Sequence, residues 1–192
     1  MRRRNRAVVM AGVVVLASAV TGGALALARD EPDPDAVKPT ALLLETGEWH
    51  SDIPGFDDAS VSTGTHVGLS GKPITTRLWT VRNSEGTLTV RQFVQRQEDD
   101  EEAHDVFVDE DDGPIFRKKL GGADKLTVTS APHADEAVGY CVSRAPRCSI
   151  LSYRMRYGAY LVEFSMADGG FTTTSGEAML ETLDRAVASR LA

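Results

Sequence analysis

Cysteine is scarce in this chain. Only Cys141 and Cys148 occur among 192 residues, both inside GYCVSRAPRC at 139–148. The C-x-x-C spacing of a thiol redox pair is absent. A thiolate metal site would need two further ligands, and His133 is the only histidine near by. Histidine is thin as well: His50, His66, His104 and His133 form no H-x-H or H-x-x-x-H pair, the spacings that present two imidazoles together. GLSGK at 68–72 fails as a nucleophile elbow, because Lys72 stands where G-x-S-x-G needs its last glycine. It fails as a phosphate loop too, with His66 in place of the first glycine and Pro73 in place of Ser or Thr. Basic residues are few beyond the N-terminus. Four of the 21 Lys and Arg precede residue 7, so the remainder carries 17 against 28 acids, a net of −11. Binding nucleic acid requires clustered Lys and Arg to neutralise phosphates, and such a body excludes it. These absences leave no catalytic, cofactor-binding or metal-binding residue to name and predict a protein that is not an enzyme.

One stretch lacks charge altogether. AVVMAGVVVLASAVTGGALALA, residues 7–28, is long enough to cross a bilayer core as a helix. Arg2, Arg3, Arg4 and Arg6 precede it, and RDEPDPD follows. This asymmetry predicts a single-pass cell-membrane protein with residues 1–6 in the cytoplasm and the rest outside. ALALA at 24–28 also offers A-x-A cleavage patterns, so secretion after cleavage near Ala28 is the alternative. Residues 29–39 are acidic and proline-rich, the composition of an extended spacer, and residues 40–192 form the extracytoplasmic domain. Outside the cytoplasm disulfides persist. If 142–143 pair with 146–147, Cys141 and Cys148 face each other across a hairpin at a separation that suits a disulfide. Free thiols, or a metal or redox role, are the other readings of this pair.

The domain reads as α+β: an antiparallel sheet in meander order, packed by a short acidic helix and a C-terminal amphipathic helix. TALLLETGEW at 40–49 starts the core, and the glycine- and proline-rich stretch to Pro73 is mainly loop with one short strand. ITTRLWTVR, the connector NSEG and TLTVRQFVQRQ make a hairpin, with Leu88, Val90 and Val94 on one face and Trp79 and Val81 on one face of the partner. EDDEEAHDVFVDEDD at 98–112 holds ten acids in fifteen residues, and Ala103, Val106 and Phe107 make a narrow helical stripe. KLTVTSA at 125–131 reads as a strand. Leu151, Tyr153, Met155 and Tyr157 alternate with polar residues, and Tyr160, Val162, Phe164 and Met166 share a face. Thr174 and Glu177 match a capping box, ahead of a Leu180, Leu183, Val187, Leu191 stripe.

Three chemistries are weighed and set lower. DEDDG at 109–113 differs from a calcium loop: its glycine comes early, and Lys119 stands where a bidentate glutamate belongs. A solvated acidic face is the reading there, with docking of cations or a basic partner by Asp109, Asp111 and Asp112 as the alternative. Trp49 and Trp79 suit the core better than a ligand groove. An exported hydrolase assembled from Ser70, His133 and Asp135 is the competing function.

TALLLETGEWHSDIPGF, HADEAVGY and YRMRYGAYLVEFSM together resemble segments of small actinobacterial exported proteins and lipoproteins, whose layout also occurs in extracellular sensor-like domains of mycobacterial-type receptor kinases. The chain departs from them at Ala134 and Ala159 and lacks a lipid-bearing cysteine. The resemblance implies a non-enzymatic, membrane-tethered binding or sensing module of the cell envelope, its partner an envelope protein or small ligand.

Overall fold

The computed structural model describes residues 36–49, 53–68, 71–83, 86–111, 123–144 and 147–192. The segment 1–28, the spacer as far as residue 35, Ser70 and Asp112 lie outside the described residues, and the side chains of Asp109 and Asp111 are likewise not described. Among the described residues no helix is long and apolar enough to cross a membrane.

Seven strands form one antiparallel sheet: β1 (Ser60–Val67), β2 (Pro73–Asn83), β3 (Gly86–Arg96), β4 (Asp124–Leu126), β5 (Glu136–Arg144), β6 (Arg147–Tyr157) and β7 (Tyr160–Phe171). Their spatial order is β1-β2-β3-β7-β6-β5-β4. Two meanders therefore meet in the middle. The chain leaves β3 through helix α1 (Asp100–Asp111), reaches the far edge at β4, and returns strand by strand until β7 pairs with β3. Helix α2 (Thr173–Leu191) closes the fold. The domain is thus α+β with an open antiparallel sheet and two helices, as the alternation of its strands and the periodicity of its last segment predict.

The side-chain period of two sorts the sheet into two faces. On the front face Trp79, Val90, Val94, Leu151, Tyr153, Met155, Val162, Phe164 and Met166 are buried, and Met179, Leu180, Leu183 and Val187 of α2 cover them. Gly176 lets the helix approach β6 this closely, since a Cβ there would lie 2.2 Å from Leu151 Cδ2. The N-terminal segment completes the layer as three 3-10 turns, Pro39–Leu42, Thr46–Glu48 and Phe56–Asp58. Such turns leave backbone groups unpaired, and buried ones must find partners. The buried Gln92 provides two: its Oε1 accepts from Leu44 N–H at 2.9 Å and its Nε2 donates to Leu42 O at 2.8 Å. Arg77 donates to Leu44 O at 2.6 Å, and the Tyr160 hydroxyl donates to Val37 O at 2.7 Å. Trp49 packs edge-on to Trp79 and stacks on Phe164 at centroid distances of 5.4 and 5.2 Å, so both tryptophans belong to the core.

The structure corrects the reading at four places. Cys141 and Cys148 are bonded, with S–S 2.02 Å and Cα–Cα 5.3 Å, but they are not opposite each other: Cys148 pairs with Ser143 and Cys141 with Leu151 across a bulge. A proline has no N–H to give a ladder, and it is Arg144 that pairs with Arg147, so the pairing lies two residues further along than 142–143 with 146–147. The hairpin ahead of it shares this economy: Asn83 pairs with Gly86, leaving two connecting residues rather than four. Of the 125–131 run only Lys125 and Leu126 are strand, the end of β4, because Val128 and Ala131 leave the ladder to pack on the front core. The α2 cap is Thr172, whose Oγ1 accepts from Ser175 N–H at 3.2 Å, so the helix begins before the Thr174–Glu177 box.

Candidate functional site

Helix α1 covers only part of the back face. Ala103 and Phe107 are buried, and Phe107 packs with Val106 against Val138, Tyr140 and Leu161. Beyond that patch the centre of the back face is polar. The tight connection at Gly158–Ala159, where Gly158 takes a left-handed φ of 52°, sets Tyr157 opposite Tyr160 and, by strict alternation, Arg154 opposite Glu163. On its other side Glu163 has Phe93 of β3 as partner, and Arg91 is opposite Ser165. The Arg91 guanidinium lies over the Phe93 ring, 5.4 Å from its centroid.

Glu163 is the chemically marked group of this face. Burial pushes its carboxyl up to about 7, against the opposing pull of the Arg154 and Arg91 charges and of a hydrogen bond donated by Ser152. Burial also lowers Arg154, and the Glu163 charge partly restores it. Perturbation of this kind, desolvation plus named charge partners at one place, marks candidate functional sites. The arrangement sets the Glu163 carboxyl under the charges of two guanidiniums, and that carboxyl changes its own charge by one unit near neutrality.

A second polar cluster sits at the end of the β6–β7 hairpin. Glu136 Oε2 lies 2.8 Å from His104 Nδ1 and 2.5 Å from Arg156 Nε. Burial alone would raise the Glu136 carboxyl, but the hydrogen bonds and charges of His104 and Arg156 overcome it and hold it below the usual range. Asp135 Oδ2 accepts from Gly158 N–H at 2.6 Å and lies 3.4 Å from Arg156. These contacts lock α1 and the start of β5 to the hairpin. Lys72 pairs with Glu102 and lies 3.6 Å from Glu98, so α1 is also tied to the chain ahead of β2.

Of the residues weighed for hydrolysis, Ser70 lies outside the described residues and the other two take other parts. Asp135 is used by the hairpin. His133 is exposed, and its backbone N–H donates to Asp184 Oδ2 at 3.2 Å. Asp184 also accepts the Tyr157 hydroxyl at 2.8 Å; burial first, and then this bond and the Asp184 charge, raise the tyrosine. Among the described residues no group of three His, Cys, Asp or Glu could hold a metal ion. Glu163, Arg154 and Arg91 were not singled out by motif, although a signal exists: once the turn at 158–159 is placed, alternation puts Arg154 and Glu163 opposite each other in the polar register.

No protein-family model, no curated protein and no solved structure matches this chain.

Proposed function

We propose that the chain is a membrane-tethered module of the cell envelope, its sheet domain outside the cytoplasmic membrane, that binds a ligand or partner protein without catalysing a reaction. One observation carries this reading: four arginines, then 22 uncharged residues, then an acidic proline-rich stretch, which is the charge order of a single-pass helix with its N-terminus inside. The Cys141–Cys148 disulfide supports it, since such bonds persist in oxidising compartments. So does the resemblance of residues 40–192 to small exported actinobacterial proteins with sensor-like domains. The surface assigned to binding is the back face around Glu163, Arg154 and Arg91, where charged groups stand on a rigid sheet.

The test is fractionation combined with protease treatment of intact cells, using the full chain tagged at its C-terminus. The expected result is a membrane-bound tag that external protease removes. A supernatant form beginning after Ala28 selects the secreted alternative, and a soluble, protease-protected cytoplasmic protein refutes the placement.

A further inference from the structure

The two edges of the sheet are built differently. β4 is three residues long and carries Asp124 and Lys125. Shortness and charge are the usual means by which proteins blunt an edge. β1 has neither. Its eight residues, SVSTGTHV, include no acid, lysine, arginine or proline, and all eight are exposed. Alternate residues of an edge strand direct their N–H and C=O groups outward, where no neighbour takes them. Among the described residues no strand pairs with that side of β1.

The composition of the strand points to what would take them. Val61–Val67 reads V-S-T-G-T-H-V, the same in both directions except for Ser62 against His66. Val61 and Val67, 45% and 71% exposed, stand three residues either side of Gly64 and are two of the three exposed large apolar side chains among the described residues.

We infer that β1 pairs with β1 of a second copy of this chain, antiparallel, about a two-fold axis that passes through Gly64 normal to the sheet. Residues opposed in a ladder must lie on the same face. A two-fold axis of this kind meets that condition only when it passes through a residue rather than between two. Centred on Gly64, the register sets Gly64 against Gly64, Thr63 against Thr65, Ser62 against His66 and Val61 against Val67. Each pair occurs twice, apart from the glycines on the axis, as an isologous contact requires. Both valines then cover one another on the face they share with Trp79, the partner of Val61 on β2. The hydroxyl pairs of Thr63 and Thr65 lie inside them, a cross-strand combination that favours pairing. No carboxylate stands in the strand to oppose the approach of two acidic bodies. An extended peptide of unrelated sequence would satisfy the same backbone groups but would leave the near-palindrome without a use. One strand pair is a small interface, below the about 1,200 Å² that separates weak contacts from stable ones, so the dimer forms in proportion to concentration.

The inference rests on β1 alone and stands or falls independently of the cellular address. It is tested on the full chain in detergent micelles with Gly64→Cys and Ser60→Cys variants. Both native cysteines are in the disulfide, so the added thiol is the only free one. A Cβ at Gly64 meets nothing within 4 Å, so the monomer tolerates it. Across the axis the two Cα atoms of residue 64 stand about 4.5–5.5 Å apart, within disulfide reach. The two copies of residue 60 are about 27 Å apart at the rise of a strand. Mild oxidation is expected to yield at least tenfold more covalent dimer from G64C than from S60C, and Val67→Lys is expected to abolish the concentration-dependent dimer seen by sedimentation. Equal cross-linking of the two cysteine variants, a wild type that stays monomeric up to about 100 μM, or a dimer that survives Val67→Lys would each overturn it.

Discussion

Glu163 makes the stability of this domain depend on pH in a direction opposite to that of most carboxylates. Its ordinary value is 4.5, and burial on the back face raises it to about 7. Between those values the folded chain binds a proton that the unfolded chain has released. Stability therefore falls as pH rises through this window, with none of the loss present below 4.5 and all of it above the folded value. At about 1.4 kcal/mol per pH unit the interval bounds the loss at about 3 kcal/mol, and water reaching a partly covered face brings it to about 2 kcal/mol. Glu163→Gln removes the titration while keeping size and hydrogen-bonding capacity. At pH 5 the wild-type carboxyl is neutral, and the amide is a close stand-in. At pH 8 the variant is the more stable by about 2 kcal/mol. Urea unfolding at pH 5, 6, 7 and 8, followed by the fluorescence of the buried Trp49 and Trp79, measures the difference between the two proteins, in which all other titrations cancel. The depressed carboxylates Glu48, Glu102 and Glu136 act with the opposite sign and only as pH falls below about 4.5, outside the window. A difference that stays flat from pH 5 to 8, or in which the wild type gains on the variant as pH rises, refutes the account of Glu163.

Three further perturbations test how the fold is held. Gln92→Leu leaves the buried Leu44 N–H and Leu42 C=O without their partner and is expected to destabilise by about 2–4 kcal/mol, whereas a loss under about 0.5 kcal/mol in denaturant titration would show that the N-terminal turns do not depend on it. Gly176→Ala improves helix propensity by about 1 kcal/mol but drives a methyl to 2.2 Å from Leu151 Cδ2; a net loss of about 1–2 kcal/mol in thermal or urea unfolding is expected, and a more stable variant contradicts the close approach of α2 to β6. Reduction of Cys141–Cys148, or replacement of both by alanine, is expected to cost on the order of 2–3 kcal/mol, the value for a short closed loop, with no dependence of the remaining unfolding transition on added thiol.

Much of this fold is legible in the chain, and the reasons are local. Residues 151–157 alternate strictly and Tyr160, Val162, Phe164 and Met166 recur at every second position, so the front core follows from their period, and the Leu180, Leu183, Val187 stripe of α2 faces it as a helical period requires. The stripe of Ala103 and Phe107 places α1 against the sheet in the same way. The errors fall where tertiary geometry overrides local preference. A run of β-formers at 125–131 ends as strand after Leu126, since Val128 and Ala131 gain more from the core than from an edge ladder. The pairing of β3 with β7 joins residues some 70 apart in sequence and has no local signature. Gln92 sits in the apolar register of β3, where polarity argues for solvent, yet it is buried because two backbone groups from residues 42 and 44 require a partner. The charged pair on the back face is a different case, since alternation and the tight turn do contain it, but only once the turn is placed to the residue.

The buried polar groups of this domain divide by what burial does to them. Gln92 joins the N-terminal turns to β3, and Asp184 accepts both the Tyr157 hydroxyl and the His133 N–H, so each satisfies backbone or side-chain groups that the fold has itself desolvated. Glu163 works the other way. Its carboxyl is held up at about 7 despite two guanidiniums and a serine hydroxyl, which means that at neutral pH its ionised form opposes folding. Thr or Val at the same register position would suit a central strand at no such cost. The neighbouring Arg154 and Arg91 charges oppose that cost without cancelling it, so Glu163 is the group on this face through which a change of pH near neutrality reaches the stability of the sheet.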